Sequence, residues 1–270
     1  MLSCRELGYR YPGGGWAIRG VSLEVRGGEA LAVLGANGSG KTTLILLLAG
    51  LLDPSSGCVC YNGVDVRELG LRYRRVCGVL FQSPEDQLIA PTVREDIAIG
   101  PLQLSFSREE VEKAVREAAM QAGADHLLDR RTMRLSQGEK KRVALAGVLA
   151  ASPKVLLLDE PASGLDLGGV ELVKSLIRAY RSRGCIVVFT TQDSELAAEL
   201  ADRVLLLRSG LVHAYGPARE VLSDLDLLAE AGVKPPSPAL AYRQAGLDGS
   251  PPLTPGELAE KIRELRGDLG

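Results

Sequence analysis

The sequence predicts an α/β fold built on a parallel sheet. Two apolar, β-rich runs, Val155–Leu158 and residues 185–190, flank a helix-like segment at 170–183, the strand–helix–strand order of a sheet covered on both faces. A third run, Ala30–Leu34, passes through a glycine-rich loop into a helix-like stretch at 43–49. The 270 residues suffice for one large domain, or one domain and an appendage, around an ample core.

In chain order, residues 4–11 and 21–25 alternate apolar and polar around Pro12-Gly13-Gly14-Gly15, which reads as an antiparallel hairpin. Gly50 can end the helix that follows the glycine loop. Cys58-Val59-Cys60-Tyr61-Asn62-Gly63 carries a second hairpin signal, because Asn-Gly suits a left-handed turn. The cluster Arg72-Tyr73-Arg74-Arg75 reads as a solvated helix end or loop. Residues 76–81 form a buried-strand candidate that runs into the polar loop Gln82-Ser83-Pro84-Glu85-Asp86-Gln87. Ser107-Arg108-Glu109-Glu110 has capping-box form. The helix it opens carries Val111, Val115 and Ala118 on one face and stops at Gly123. A further helix spans 136–151, charged early and apolar later. After about Gly216 prolines punctuate short helical pieces, the last at 257–266 with Leu258, Ile262 and Leu265 on one stripe. A small appended helical segment is expected there.

Composition excludes several classes. With 32 basic against 34 acidic residues, nothing in the charge calls for nucleic acid as a partner. The five cysteines form no C-x-x-C pair, and with two histidines no zinc cluster can be drawn. They read as small buried hydrophobes in a reducing cytosol. The N-terminus lacks a signal peptide's apolar core, and the longest apolar stretches fall short of the ~20 residues of a membrane span. The expectation is a soluble chain that meets a membrane only through a partner.

The glycine loop carries the chemistry. Gly35-Ala36-Asn37-Gly38-Ser39-Gly40-Lys41-Thr42 fits G-x-x-x-x-G-K-[ST] at every position, between a strand and a helix. Its glycines let successive N–H groups converge on phosphate oxygens at a helix N-terminus. Lys41 can reach the β- and γ-phosphates, Thr42 can ligate Mg²⁺, and Thr43 continues the same nucleotide-binding run. The run at 155–158 ends in Asp159-Glu160. Asp159 can hold Mg²⁺ through its waters, and Glu160 can take the proton of an attacking water. Leu135-Ser136-Gln137-Gly138-Glu139 opens a helix. Ser136 and the N–H groups after it make either a second anion site or a plain cap, with Glu139 at capping-box spacing.

In this order the motifs resemble the ABC ATPase superfamily over almost the whole chain. Gly35 to Thr42 looks like Walker A, residues 156–160 like Walker B, and Gln82 like the Q-loop glutamine. Ser136, Gln137, Gly138 and Glu139 look like a signature of LSGGQ type, and Pro161-Ala162-Ser163-Gly164-Leu165-Asp166 resembles the D-loop. Tyr11 sits where the family stacks a ring on adenine, or is an ordinary hairpin aromatic. The stretches at 81–93 and 140–150, with the proline-punctuated tail, are similar to energy-coupling factor (ECF) ATPases, especially those of cobalt and nickel importers.

The resemblance implies a P-loop core with a RecA-like parallel sheet, an N-terminal antiparallel β subdomain and a helical signature subdomain at about 83–150. The ATPase domain would cover 1–216, with 217–270 as a C-terminal helical extension. It implies ATP and Mg²⁺, the ion near Thr42, Gln82 and Asp159, and catalytic roles for Glu160, Gln192 and Gln82. Partners would be a second ATPase subunit of the same or a related chain, a transmembrane coupling subunit and a substrate-binding membrane subunit. The chain would sit at the cytoplasmic face of the cell membrane. It would touch neither nucleic acid nor the cargo, which is Co²⁺, Ni²⁺ or a vitamin.

Two places depart from the family pattern. Gln137 replaces the first signature glycine and Glu139 the terminal glutamine, while Ser136 and Gly138 remain. Thr191-Gln192-Asp193 aligns with the family's Thr-His-Asp switch, so Gln192 stands where a histidine would touch the γ-phosphate. An amide donates a hydrogen bond but carries no charge. Losing a charge-assisted bond of about 1.5–3 kcal/mol from the transition state slows chemistry roughly 10- to 150-fold. Slow hydrolysis is expected, or a partner with an intact switch. Two other classes remain open. One is a nearly inactive nucleotide-binding module. The other is a soluble ABC ATPase of DNA repair or cluster assembly, although the 95 residues from Lys41 to Ser136 hold no long heptads.

Overall fold

The computed structural model describes residues 1–267. The chain opens with β1 (Leu2–Arg10) and β2 (Trp16–Val25), paired antiparallel as the alternation predicts. Leu2, Cys4, Leu7, Ile18, Val21, Leu23 and Val25 form their buried face. β3 (Ala30–Leu34) delivers the glycine loop to α1 (Lys41–Leu48). Gly40 caps that helix at φ 105, and a Cβ there would lie 2.5 Å from the Ala17 carbonyl oxygen, so only glycine fits.

β4 (Ser56–Tyr61) and β5 (Val64–Asp65) turn on Asn62-Gly63. Two single-turn helices, α2 (Val66–Leu69) and α3 (Leu71–Arg74), lead to β6 (Cys77–Leu80). The arginines of the basic cluster are exposed, but Tyr73 is buried and donates its hydroxyl to the Leu48 carbonyl at 2.7 Å. One aromatic among arginines carries no periodic signal, so its burial shows only in three dimensions.

Three helices follow: α4 (Val93–Gln103), α5 (Arg108–Gln121) and α6 (Gln137–Ala150). Each opens on a complete capping box, Thr92 with Glu95, Ser107 with Glu110 and Ser136 with Glu139. α4 was not foreseen, because Pro91 before its cap and Pro101 inside it break the helical pattern. After β7 (Val155–Leu158), α7 (Leu167–Ser182) begins earlier than expected. Asp166 caps it by accepting from the Gly169 N–H at 2.8 Å, and Gly168-Gly169 hid the start.

β8 (Ile186–Thr191) then leads through α8 (Ser194–Leu200) to the hairpin of β9 (Arg203–Arg208) and β10 (Leu211–Pro217). The last three were not foreseen from the sequence. Four helices close the described chain: α9 (Ala218–Ser223), α10 (Leu225–Glu230), α11 (Ser237–Gln244) and α12 (Pro255–Gly267).

The strands make two sheets. One is antiparallel, in the order β2-β1-β4-β5; the other runs β10-β9-β3-β8-β7-β6, parallel except at the β10 edge. Side chains of the parallel strands alternate between two cores. Ala32, Leu156, Val187 and Leu206 face the helices α4–α8, whereas Val33, Leu157, Val188 and Leu205 face α1 and the antiparallel sheet. Leu222, Leu228, Val233 and Leu253 of the C-terminal segment join the first core. On α12, Ile262 and Leu265 stay partly exposed.

Candidate active site

In the parallel sheet β3, β8 and β7 are neighbours, with Leu34 beside Thr191 and Leu158 beside Phe189. Their carboxyl ends therefore bring three polar segments together: the glycine loop, Asp159-Glu160 and Thr190–Gln192. Ligand sites of open α/β sheets lie at such strand ends.

Asp159, 1% exposed, is held from two sides. The Thr42 hydroxyl donates to Oδ2 at 2.6 Å and the Thr190 hydroxyl to Oδ1 at 2.5 Å. Thr190 also accepts the Glu160 N–H at 2.9 Å, so one hydroxyl orients both acids. Lys41 donates to the carbonyls of Gly35 at 2.8 Å and Ala36 at 3.2 Å, and lies 3.7 Å from Glu160 Oε1. Burial lowers the pKa of this ammonium below its ordinary value, and the charges of Glu160 and Asp159 oppose the shift. Glu160 sits in the left-handed region at φ 48, where a non-glycine residue is strained. Gln192 donates its amide to Asn37 Oδ1 at 2.8 Å and lies 3.5 Å from Glu160 Oε1.

Asn37, Lys41, Thr42, Asp159 and Glu160 open on a cavity of about 300 Å³ lined also by Tyr11, Ala17, Gly38, Gly40, Thr43 and Gln82, whereas Thr190 and Gln192 stand outside its lining. Tyr11 is half exposed, edge-on to Tyr9 at 4.8 Å, with its hydroxyl 3.3 Å from Thr43 Oγ1. Gly35 and Ala36 support the cavity through their carbonyls rather than lining it, and Ser39 is buried behind the loop. Thr42, Gln82 and Asp159 are hard oxygen donors with a single carboxylate among them. Such a set suits Mg²⁺ shared with phosphate oxygens.

The signature residues lie elsewhere: none of Ser136, Gln137, Gly138 and Glu139 lines this cavity. They open α6 at the surface, Ser136 and Gln137 exposed and Gly138 and Glu139 half-buried, and Glu139 accepts from the Ser136 N–H at 2.8 Å and from Arg130 at 2.8 Å. Gln137 and Lys140 both donate to Glu85 Oε1, at 2.7 and 2.8 Å, tying this helix end to the loop after Gln82. In the D-loop stretch, Asp166 caps α7 and pairs with Arg142 at 3.2 Å, Leu165 packs on the core, and Gly164 turns at φ 73.

Sequence reading missed three supporting residues. Lys141, 5% exposed, donates to the carbonyls of Glu160 at 2.5 Å and Ser163 at 2.9 Å, so α6 supports the acid directly. Its signal was an i, i+3, i+4, i+7 relation to Ala144, Leu145 and Val148. Thr190 is the second. The third, Gln87, accepts the Phe81 N–H at 3.1 Å and donates to the Val79 carbonyl at 3.2 Å, closing the loop that carries Gln82.

A glycine loop between a parallel strand and a helix, with its threonine bonded to the acid of a nearby strand end, defines a phosphate-loop ATPase core. The antiparallel sheet and the helical region make it an ATP-binding cassette. A family model described as "ABC transporter" matches residues 18–163. The cobalt import ATP-binding protein CbiO of Rhodobacter capsulatus is 47% identical over 239 residues, covering 87% of this chain and 85% of the relative. The energy-coupling factor transporter ATP-binding protein EcfA of Methanothermobacter thermautotrophicus is 38% identical, covering 99% of this chain and 88% of the relative. The solved structure of cbiO1 from Clostridium perfringens, part of a cbiONQ transporter complex, superposes with a TM-score of 0.74 at 33% identity, covering 90% of this chain and 98% of that one. A dimeric ATP-binding cassette bound to ADP and Pi matches with a TM-score of 0.73 at 26% identity, over 81% of this chain and 99% of that one. The chain belongs to the ABC transporter ATP-binding family, among the ATPase subunits of energy-coupling factor type. Among the described residues no helix is long and apolar enough to cross a membrane.

Proposed function

We propose that the chain binds ATP with Mg²⁺ in the cavity between Tyr11 and Glu160 and hydrolyses it to energise uptake of Co²⁺ or Ni²⁺, with a vitamin as the alternative cargo. The observation that carries the reaction is the cluster at adjacent strand ends. There Thr42 meets Asp159 at 2.6 Å, Lys41 meets Glu160 at 3.7 Å, and Gln192 meets Glu160 at 3.5 Å. The cobalt-import relative at 47% identity supports the cargo.

In this reading the glycine-loop N–H groups take the phosphate oxygens, and Lys41 turns to them from the loop's own carbonyls. Tyr11 offers its exposed ring to the adenine. Thr42, Asp159 and Gln82 hold Mg²⁺, which when bound neutralises phosphate charge. Glu160 takes the proton of the attacking water. Gln192 donates an uncharged hydrogen bond toward the γ-phosphate, and turnover is slow for that reason.

Ser136, Gln137, Gly138 and Glu139 act on the ATP of a second ATPase subunit, with the D-loop residues Ser163, Gly164, Leu165 and Asp166 at the same junction. Their place at the surface outside the chain's own cavity favours this, as does the likeness to a dimeric cassette. Residues 1–216 form the ATPase domain, with 83–150 as its helical part, and 217–270 form the C-terminal extension, whose Leu222, Leu228, Val233 and Leu253 pack on it. Gln82 and the loop after it pass the closing motion to a transmembrane coupling subunit at the cytoplasmic face, and a substrate-binding membrane subunit holds the cargo. Affinity purification from solubilised membranes tests this reading. Recovery with a multi-span partner supports the importer, and recovery with nucleic acid alone rejects it.

A further inference from the structure

The segment between α10 and α11 touches two catalytic loops at once. Gly232, at φ 69, lies against the glycine loop, where a Cβ added to it would stand 3.1 Å from the Ala36 Cβ. Two residues on, the Lys234 carbonyl accepts a 2.6 Å hydrogen bond from Ser194, which is 3% exposed. The Ser237 N–H then donates to Glu195 Oε1 at 3.0 Å. Ser194 and Glu195 open α8 immediately after Gln192-Asp193, and Asp193 caps that helix through the Glu195 and Leu196 N–H groups. Gln192 itself reaches back to Asn37, the neighbour of Ala36, at 2.8 Å.

The contacts close a ring. It runs from the glycine loop to Gln192, along the start of α8, across to the C-terminal segment, and back to the glycine loop through Gly232. Three links are hydrogen bonds of 2.6–3.0 Å, and the fourth is an approach of Gly232 to Ala36 close enough that a Cβ on Gly232 would crowd it. Two loops that leave the paired strand ends Leu34 and Thr191 are thus tied a second time, through the C-terminal segment. That spacing sets where the Gln192 amide stands relative to a phosphate seated in the glycine loop.

We propose that residues 232–237 are a brace for the switch position, with Ser194 and Gly232 as positioning residues that act through Gln192. The inference rests on the ATPase reading above and gives the C-terminal extension a part in the reaction. None of residues 232–237 lines the cavity between Tyr11 and Glu160, so removing the brace should leave nucleotide affinity in place and misplace the γ-phosphate donor. Misplacing a reacting group by about an ångström costs up to roughly 100-fold in rate.

The test uses the full chain. Ser194→Ala and Gly232→Ala are compared with the parent for ATP Kd, KM, kcat and melting temperature, and each is repeated in a Gln192→Ala background. The expected result is a kcat lowered between about 5- and 100-fold, with Kd and KM within about threefold. In the Gln192→Ala background the two substitutions should have no further effect on kcat. Ser194→Thr, which keeps the hydroxyl, should restore the rate. An unchanged kcat in Ser194→Ala overturns the brace, as does an equal loss with and without Gln192. If Glu160→Gln abolishes turnover while Gln192→Ala leaves it untouched, both the brace and the switch role of Gln192 fall. If Gln192→Ala slows turnover while the substitutions at 194 and 232 are silent, the brace alone falls.

Discussion

Thr42 and Asp159, 117 residues apart in the chain, are joined by a 2.6 Å hydrogen bond, and Thr190 donates to the other carboxylate oxygen at 2.5 Å. The helix after the glycine loop and the end of β7 are therefore joined directly. A cation bound there, as proposed above, would meet oxygens positioned by the fold, which would lower the ordering cost of binding.

Thr42→Ala should remove one such oxygen while leaving the loop's N–H groups intact. ATP binding in magnesium is expected to weaken about 10- to 150-fold, the value of a hydrogen bond or ligand contact to a charged group. Binding in EDTA should change little. Titration calorimetry under both conditions measures the difference, and an unaltered magnesium dependence would remove Thr42 from the ion's ligands.

Glu160→Gln is expected to lower turnover by about 10²- to 10⁴-fold, the usual yield of a positioned general base, with ATP still bound. Gln192→His should raise it roughly 10- to 150-fold by adding a charge-assisted hydrogen bond. Steady-state ATPase assays decide both. No loss in the first variant would mean that Glu160 is not the base. No gain in the second would mean that the residue at 192 does not limit hydrolysis.

Lys141→Met removes a buried ammonium that donates to two carbonyls, Glu160 at 2.5 Å and Ser163 at 2.9 Å. Leaving those acceptors unpaired should destabilise the chain by about 1–3 kcal/mol and lower Tm by roughly 2–4 °C per kcal/mol. Burial holds the Lys141 pKa below its ordinary 10.5, against the pull of Glu160 and Asp159. The unfolded chain therefore binds the extra proton between the folded value and 10.5, and stability gains as pH rises through that window. The parent should gain on Lys141→Met in urea unfolding as pH rises toward the ordinary lysine value. A flat difference would show that the ammonium is solvated.

Glu85 accepts from Gln137 at 2.7 Å and from Lys140 at 2.8 Å, drawing the side chain that replaces a signature glycine toward the loop after Gln82. Glu85→Ala should release it over the helix N-terminus and slow ATPase activity up to about fivefold, the scale of an exposed pair. In a Gln137→Gly background the same substitution should do nothing. An equal effect in both backgrounds would show that Glu85 works through another residue.

Local chemistry made much of the fold readable. Four of the parallel strands, β3, β6, β7 and β8, announced themselves as apolar runs, and Ser107 and Ser136 marked their helices three residues before a glutamate. α4 stayed hidden because Pro91 and Pro101 mimic loop punctuation, although Thr92 with Glu95 was a capping box in plain sight. β9 and β10 were missed although Val204–Leu207 is as apolar as β7, and the turn at Ser209-Gly210 was the available clue. At the site, the glycine loop, Asp159, Glu160 and Gln192 were legible, and Lys141, Thr190 and Gln87 were not. The first group is marked by sequence neighbours, whereas the second acquires its role from residues far along the chain.

The sequence by itself determined that a phosphate-binding loop would form between Ala30–Leu34 and the next helix, because glycine placement and helix capping depend on residues within a few positions. It also determined which residues would be apolar enough to make the sheet. Tertiary structure alone decided that Asp159 meets Thr42 and Thr190, that Lys141 lies under Glu160, and that Gly232 seats against Ala36. Those contacts follow from strand order and packing, which bring together segments separated by tens to hundreds of residues, and no local pattern encodes them.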